Sequence, residues 1–271
     1  MNLRRLLGLE PQEQPPRWEP TPVGEDAFTR IAPYYDELMS TVPYRSWVDY
    51  VEAILRRVEH QPREVLDLCC GTGRVGSEMA RRGYEVVGAD LAERMVRQCA
   101  HRDPPLPAAV MDATQLGLRA ESFDLVVSLY DSLNYIIDPK GLRACFGGVA
   151  QALRPGGLFI FDLNTPRALR VGLFTQTNAG TREPLQYRWQ SYWDEARKLC
   201  RVEMHFRWRG TGAPVEFSET HYERAYEDTE VREMLAAAGM ETLHVWDAYS
   251  FRSPGSFSNR VFYVARRPKV E

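Results

Sequence analysis

An apolar run ending near an acid, VLDL at 65–68, leads into a glycine-rich stretch, CCGTGRVG, then a short amphipathic segment, SEMARRG, and a second apolar run, YEVVGAD, that closes at Asp90. The change from a continuous apolar run to helical spacing and back predicts strand, loop, helix and strand, the unit that opens an α/β fold. The alternation continues as helix about 92–101, strand 107–111, the near-continuous apolar run FDLVVSLY expected of a central parallel strand, helix about 140–153 and the strand GLFIFDLN. Short crossovers between these elements predict a doubly wound sheet. Two helical patterns precede it, about 26–39 and 44–59, and the second carries Trp47, Val48, Val51, Ile54, Leu55 and Val58 on one face.

After Pro166 the period shortens to two. LQYRWQSYW, LCRVEMHFRWRG and VEFSETHYERAYE are separated by turns at DEARK and GTGAP, and Val202, Met204, Phe206 and Trp208 alternate with Arg201, Glu203, His205, Arg207 and Arg209. One apolar and one polar face predict a small antiparallel insertion laid on the core. Asp228 is then expected to cap a helix to about Ala238 with Gly239 as its stop, before METLHVWDAY and RVFYVARR close as an antiparallel pair. The expected organisation is a Pro-rich extended or disordered tail over 1–24, a core over 25–165, the insertion over 166–227 and a closing helix and hairpin over 228–271.

Composition narrows the function classes. The 271 residues carry a formal net charge of -3, so no global basic field drives binding to nucleic acid. Five cysteines form no C-x-x-C pair and no zinc spacing with the five histidines, which predicts reduced thiols and no metal site. MNLRRLLGLE is too short an apolar run for a signal peptide, and no 18 apolar residues occur in succession. A soluble cytoplasmic monomer or homodimer, touching neither membrane nor nucleic acid, is expected.

Gly71, Gly73 and Gly76 spell G-x-G-x-x-G, and Asp90 follows Gly71 by 19 residues, close to the spacing of a ribose-binding acid. Asp67, four residues before Gly71, would repel the pyrophosphate of a dinucleotide. It suits the ammonium and sulfonium of S-adenosylmethionine instead. A nicotinamide-dependent oxidoreductase and a non-catalytic cofactor-binding module remain the alternatives.

In order along the chain, DLCCGTG (67–73), GAD (88–90), MDATQL (111–116) and LRPGGLFIFDL resemble the motifs of the class I S-adenosylmethionine-dependent methyltransferases, with Cys69 standing where that family often has glycine. The resemblance implies a Rossmann-like seven-stranded sheet. It also implies that Asp67, Gly71, Thr72 and Gly73 lie about the methionine portion, that Asp90 holds the ribose, and that Leu91 and Met95 flank adenine or ribose. Asp112 and the Ala113 amide would address adenine, Leu129 would lie beneath the sulfonium, and Tyr34, with Tyr35 an almost equal candidate, would close over the cofactor. The insertion and SLYDSLNYI are similar to small-molecule N-methyltransferases of the amino-sugar or glycine type. RNA methylation is disfavoured by YDSLNY, which stands where an N-P-P-Y type motif would.

Methyl transfer asks mainly for alignment and exclusion of water, with a base to keep an amine neutral. Asn134, Glu219 and His221 are the catalytic candidates, and Asp131, Tyr135, Trp189 and His205 the candidates for contact with a small-molecule substrate. Tyr187, Tyr192 and Trp193 could extend an aromatic wall. Arg201, Arg207 and Arg209 suit either an acidic group on the acceptor or a solvated strand edge.

Overall fold

The computed structural model describes residues 27–269, so the expected 1–24 tail lies outside the described residues. Helices α1 (Tyr35–Leu38) and α2 (Tyr44–Arg57) precede β1 (Glu64–Leu68), α3 (Arg74–Arg81), β2 (Glu85–Asp90), α4 (Glu93–Cys99), β3 (Ala108–Val110) and β4 (Phe123–Ser128). Then come α5 (Pro139–Ala152), β5 (Leu153–Asn164), α6 (Pro166–Arg170), β6 (Gln176–Thr177), β7 (Leu185–Asp194), β8 (Leu199–Trp208) and β9 (Val215–Arg224). The chain closes with α7 (Asp228–Ala237), β10 (Glu241–Asp247) and β11 (Arg260–Arg266). Among the described residues no helix is long and apolar enough to cross a membrane.

The main sheet has seven strands in the order β10-β11-β5-β4-β1-β2-β3, parallel except where β11 runs against both of its neighbours. Sequence order reverses between β1 and β4, the switch point outside which ligands bind in open α/β sheets. Val48, Val51 and Ile54 of α2 pack with Val75 and Met79 of α3 on one face, while α5 and α7 cover the other through Phe146, Val149, Val231 and Leu235. The sheet is therefore doubly wound. A separate antiparallel sheet, β6-β7-β8-β9, turns Val202, Met204 and Phe206 inward as the alternation predicts.

Three differences have local causes. The pattern over 26–39 yields only a 3-10 turn at Ala32–Tyr34 and the four residues of α1, because Pro33 lacks an amide donor and Phe28 turns left-handed at φ 63°. β5 begins at Leu153 rather than 157, its register with β4 slipping across the RPGG segment where Gly156 takes φ 87°. Glu227, not Asp228, is the N-cap of α7, and the Asp228 carboxylate instead accepts from the Tyr263 hydroxyl at 3.0 Å.

Gly76 lies where α3 crosses β1. A Cβ there would sit 2.7 Å from Leu106 Cδ2 and 2.9 Å from Asp67 Oδ2, closer than packed atoms tolerate. Gly76→Ala is expected to cost about 1–3 kcal/mol, read as a lowered melting temperature; an unchanged melt would show that the helix shifts freely.

Candidate functional site

The carboxyl ends of β1, β2 and β4 open onto a cavity of about 420 Å3, roofed by residues 27–39 and walled by the inner face of the β7-β8-β9 sheet. At Gly71 the chain turns left-handed, φ 53°, and nothing lies within 4 Å of where a Cβ would stand, so the bare backbone faces the cavity. Cys69 before it also adopts φ 60°, a glycine-like conformation in a side-chain-bearing residue. Asp90 at the end of β2 accepts from the amides of Gly71 at 2.7 Å and Ala92 at 2.8 Å, which fixes its carboxylate at the cavity wall. Burial raises its pKa, with the two amides opposing.

Beyond Asp90 the cavity is walled by Leu91, Met95, Met111, Asp112 and Ala113. One Asp112 oxygen accepts from both the amide and the hydroxyl of Thr114, each at 2.8 Å, which sets the carboxylate's direction. At the glycine loop, Asp36 of α1 accepts from Thr72 Oγ1 at 2.9 Å and Arg74 Nε at 3.0 Å and pairs with Arg102. Burial alone would raise the Asp36 pKa, but these hydrogen bonds override it and hold the carboxyl below its usual range. The roof is thereby tied to the loop.

At the other end Leu129 leads into Tyr130 and Asp131, two successive left-handed residues at φ 71° and 52°. Such paired strain persists only where the surroundings over-determine it. Their amides donate to Asp162 at 2.6 and 3.0 Å, while Arg260 pairs with Asp162 and, at 2.6 Å, with Asp131. Burial, opposed by Arg260 and reinforced by the charge of Asp162, raises Asp131 to about 6; burial with the charge of Asp131 also raises Glu223 well above its ordinary value.

Beside this cluster Tyr135, His221 and Glu219 form a chain. The Tyr135 hydroxyl lies 3.1 Å from His221 Nδ1, and His221 Nε2 lies 2.8 Å from Glu219 Oε2. Glu219 also accepts from the amides of Arg30 at 2.8 Å, Ile31 at 3.0 Å and Phe28 at 3.3 Å. With four donors converging, both of its oxygens act as acceptors, so the imidazole proton belongs on Nε2 and Nδ1 accepts from Tyr135. Burial raises the Tyr135 pKa well above its ordinary value, which keeps the phenol a donor. Tyr135 and His221 line the cavity together with Trp189, Met204 and Phe206.

The structure thus brings Gly71, Thr72, Asp90, Leu91, Met95, Asp112, Ala113, Leu129, Asp131, Tyr135, Trp189 and His221 to one cavity. Others lie elsewhere. Asp67 and Gly73 sit behind the loop: Asp67 accepts from the Gly76 amide at 2.8 Å, and burial, opposed by that bond, raises its pKa to about 7. Gly73 is the N-cap of α3, at φ 80°. Tyr34 packs between Trp208 and Phe217, and Tyr35 faces the cavity instead. Asn134 is fully buried away from the cavity lining; its side chain donates to the carbonyls of Asn164 and Arg224 and accepts from the Asn164 amide at 2.9 Å, a bracket between strands. His205 is exposed on the outer face of β8 and bonds Ser218 Oγ at 2.8 Å, because the strand alternation that turns Met204 and Phe206 inward turns it out. Glu219 stands behind His221 rather than on the cavity wall. Tyr187, Tyr192 and Trp193 do not line the cavity, and Arg201 and Arg207 pair with Glu203 and Glu216 on their own sheet. The sequence reading does not find Phe28 and Asp36, which lie in the irregular roof where no periodicity marks them, or Arg74, which opens α3 and reaches back to Asp36.

The cavity's charges discriminate between ligands. Asp90, Asp112 and Asp138 line it together with Asp131, which is paired with Arg260, against Arg74, which is paired with Asp36. A pyrophosphate would meet this field unfavourably, whereas an adenosine-type ligand with a cationic tail suits it.

Residues 65–157 match the family described as a methyltransferase domain. The putative methyltransferase YqeM of Bacillus subtilis (strain 168) is 31% identical over 247 residues, spanning 90% of this chain and 98% of the relative. Among solved structures, an S-adenosylmethionine-dependent methyltransferase from Clostridium acetobutylicum ATCC 824 superposes with a TM-score of 0.78 at 27% identity, covering 90% of this chain and 100% of that one. The S-adenosylmethionine-bound amino pentose methyltransferase CalS10 from Micromonospora echinaspora shares the fold with a TM-score of 0.67 at 21% identity, over 89% and 97% of the two chains.

Proposed function

The chain belongs to the class I S-adenosylmethionine-dependent methyltransferases, and from that premise we propose that it methylates a small molecule at nitrogen or oxygen, nitrogen being favoured. The observation that carries this reading is the Tyr135–His221–Glu219 chain at one end of the cavity whose other end holds Asp90 and Asp112.

Bound S-adenosylmethionine supplies a methyl group activated by its sulfonium. Asp90, the Gly71 backbone, Asp112 and Ala113 are the groups that would hold it. The remaining work is to align the acceptor, exclude water and remove a proton. A proton leaving the acceptor onto the Tyr135 oxygen is balanced by passage of the phenolic proton to His221 Nδ1, and the resulting imidazolium faces Glu219. Carboxylates and the aromatic faces of Trp189 and Phe206 favour an amine over an anionic acceptor. The roof at 27–39 leaves a cavity of about 420 Å3, a volume that suits small ligands, and the net charge of -3 supports a small molecule over RNA.

Because Asp90 serves two loop amides as well as the ribose, Asp90→Ala is expected to raise the calorimetric Kd for S-adenosylhomocysteine about 30- to 100-fold, about 2–3 kcal/mol. Unchanged affinity would refute the assignment. The acceptor class is tested by supplying methyl-labelled S-adenosylmethionine with separated small-molecule, RNA and protein fractions of a cell extract. Label should enter the small-molecule fraction; label confined to RNA or protein would overturn the reading.

A further inference from the structure

The Glu219 carboxylate holds two things that perform different tasks. Through Oε1 it takes the amides of Arg30 and Ile31, and through Oε2 the amide of Phe28 and the Nε2 proton of His221. Glu219 is 7% exposed and His221 2%, so water does not compete freely for these bonds. Phe28 adopts φ 63°, a conformation that a bulky side chain rarely takes, and its ring meets the His221 ring edge-on at 4.5 Å and Tyr135 at 5.2 Å. At its far end the same roof is tied to the glycine loop through Asp36. The roof therefore spans both halves of the cavity, and its near end shares one carboxylate with the proton-accepting histidine.

We propose that Glu219 is a positioning residue that couples closure of the 27–39 roof to the proton arrangement of His221, so that the histidine is prepared to accept a proton only when the cavity is covered. The proposal rests on the methyltransferase reading for its purpose but not for its physics. With the roof in place, three amides fix the carboxylate, which fixes Nε2–H and leaves Nδ1 free to accept from Tyr135. With the roof displaced, the carboxylate loses those donors and His221 loses the Phe28 ring. Coupling of this kind is reciprocal, so disturbing either partner disturbs the other.

Glu219→Gln tests it, because an amide offers one acceptor oxygen where two are needed. If that oxygen serves Arg30 and Ile31, the NH2 faces Nε2 and drives the imidazole proton to Nδ1; if it serves His221, the roof loses its acceptor. Long-range 1H–15N correlation of the histidine rings, assigned with a His221→Gln variant, reads which nitrogen is protonated, and tryptic cleavage after Arg30 reads the roof. The expected result is a moved proton or cleavage faster by about tenfold. Asp36→Ala, which frees the roof at its other end without touching His221, is expected to change the His221 spectrum as well. Unchanged His221 resonances in Asp36→Ala, or a Glu219→Gln protein altered in neither readout, would overturn the coupling. Should Glu219→Gln fail to fold, Glu219→Asp keeps both acceptors on a shorter arm and is expected to speed cleavage after Arg30; unchanged cleavage there counts against the proposal. Neither readout needs methyl transfer, so absence of turnover in the unaltered protein would fail the functional reading and leave this one standing.

Discussion

His221→Ala is expected to lower methyl-transfer turnover by about 10²- to 10⁴-fold while the Kd for S-adenosylhomocysteine rises by no more than about tenfold, the share that loosening of the coupled roof accounts for. The variant removes the group proposed to take the proton at Nδ1 and leaves the Tyr135 hydroxyl without its His221 partner. Cofactor affinity is largely spared because Asp90, Gly71 and Asp112, the groups proposed to hold the cofactor, lie at the other end of the cavity. The separation between the two measurements is the diagnostic part. Equal loss of turnover and affinity would mean that the substitution unfolds the roof, through Glu219 and Phe28, rather than removing a base.

Arg260→Met is expected to destabilise the protein by about 3–5 kcal/mol, measured by urea denaturation. Arg260 is the counter-ion of Asp131 and Asp162, lies over the Tyr130 ring at 5.1 Å, and stands beside the buried Glu223. Methionine keeps much of the stem's packing but leaves the carboxylates without their cation. The loss has a definite pH dependence. Asp131 already titrates high, at about 6, and Glu223 higher than usual, chiefly because burial disfavours their charged forms. A carboxyl whose folded pKa is raised binds protons more tightly when folded, so its contribution is present at low pH and is lost as pH rises through the window from its unfolded value, about 4, towards its folded one. Removing Arg260 raises both further. The variant should therefore be closest to the unaltered protein near about pH 5 and furthest from it above about pH 7. A penalty independent of pH would place the effect in packing instead.

How far the sequence could be read depends on periodicity. The central strands β4 and β5 are buried on both faces over most of their length and read as near-continuous apolar runs, and β8 alternates cleanly, so both the doubly wound sheet and the insertion were legible. β9 presents Glu219, His221 and Glu223 on one buried face, a polar sequence on an inward side that signals a site. Period alone does not say which of these meets the cavity. His205 already falls on the polar side of the β8 alternation and faces solvent, whereas β9 carries no such apolar face to mark the side of His221, which packing turns towards Tyr135. Asn134 reads in sequence as a catalytic candidate, and the fold brackets it between Asn164 and Arg224. Those partners lie 30 and 90 residues away, a separation no local pattern encodes. The same holds for Asp36, whose bonds reach Thr72 and Arg102. Tyr34 and Tyr35 are separated only by the change from a 3-10 turn to an α-helical one, and that change turns Tyr35 to the cavity.

A crystal structure with S-adenosylhomocysteine bound tests the central claim most directly, that one roofed cavity holds the cofactor at one end and presents Tyr135 and His221 to the acceptor at the other. The account predicts the ribose hydroxyls on Asp90, the adenine beside Asp112 and Ala113, and the sulfur directed towards the space before Tyr135 and His221, with the 27–39 roof closed over it. A sulfur directed away from that pair, or a ribose that leaves Asp90 unengaged, would contradict it.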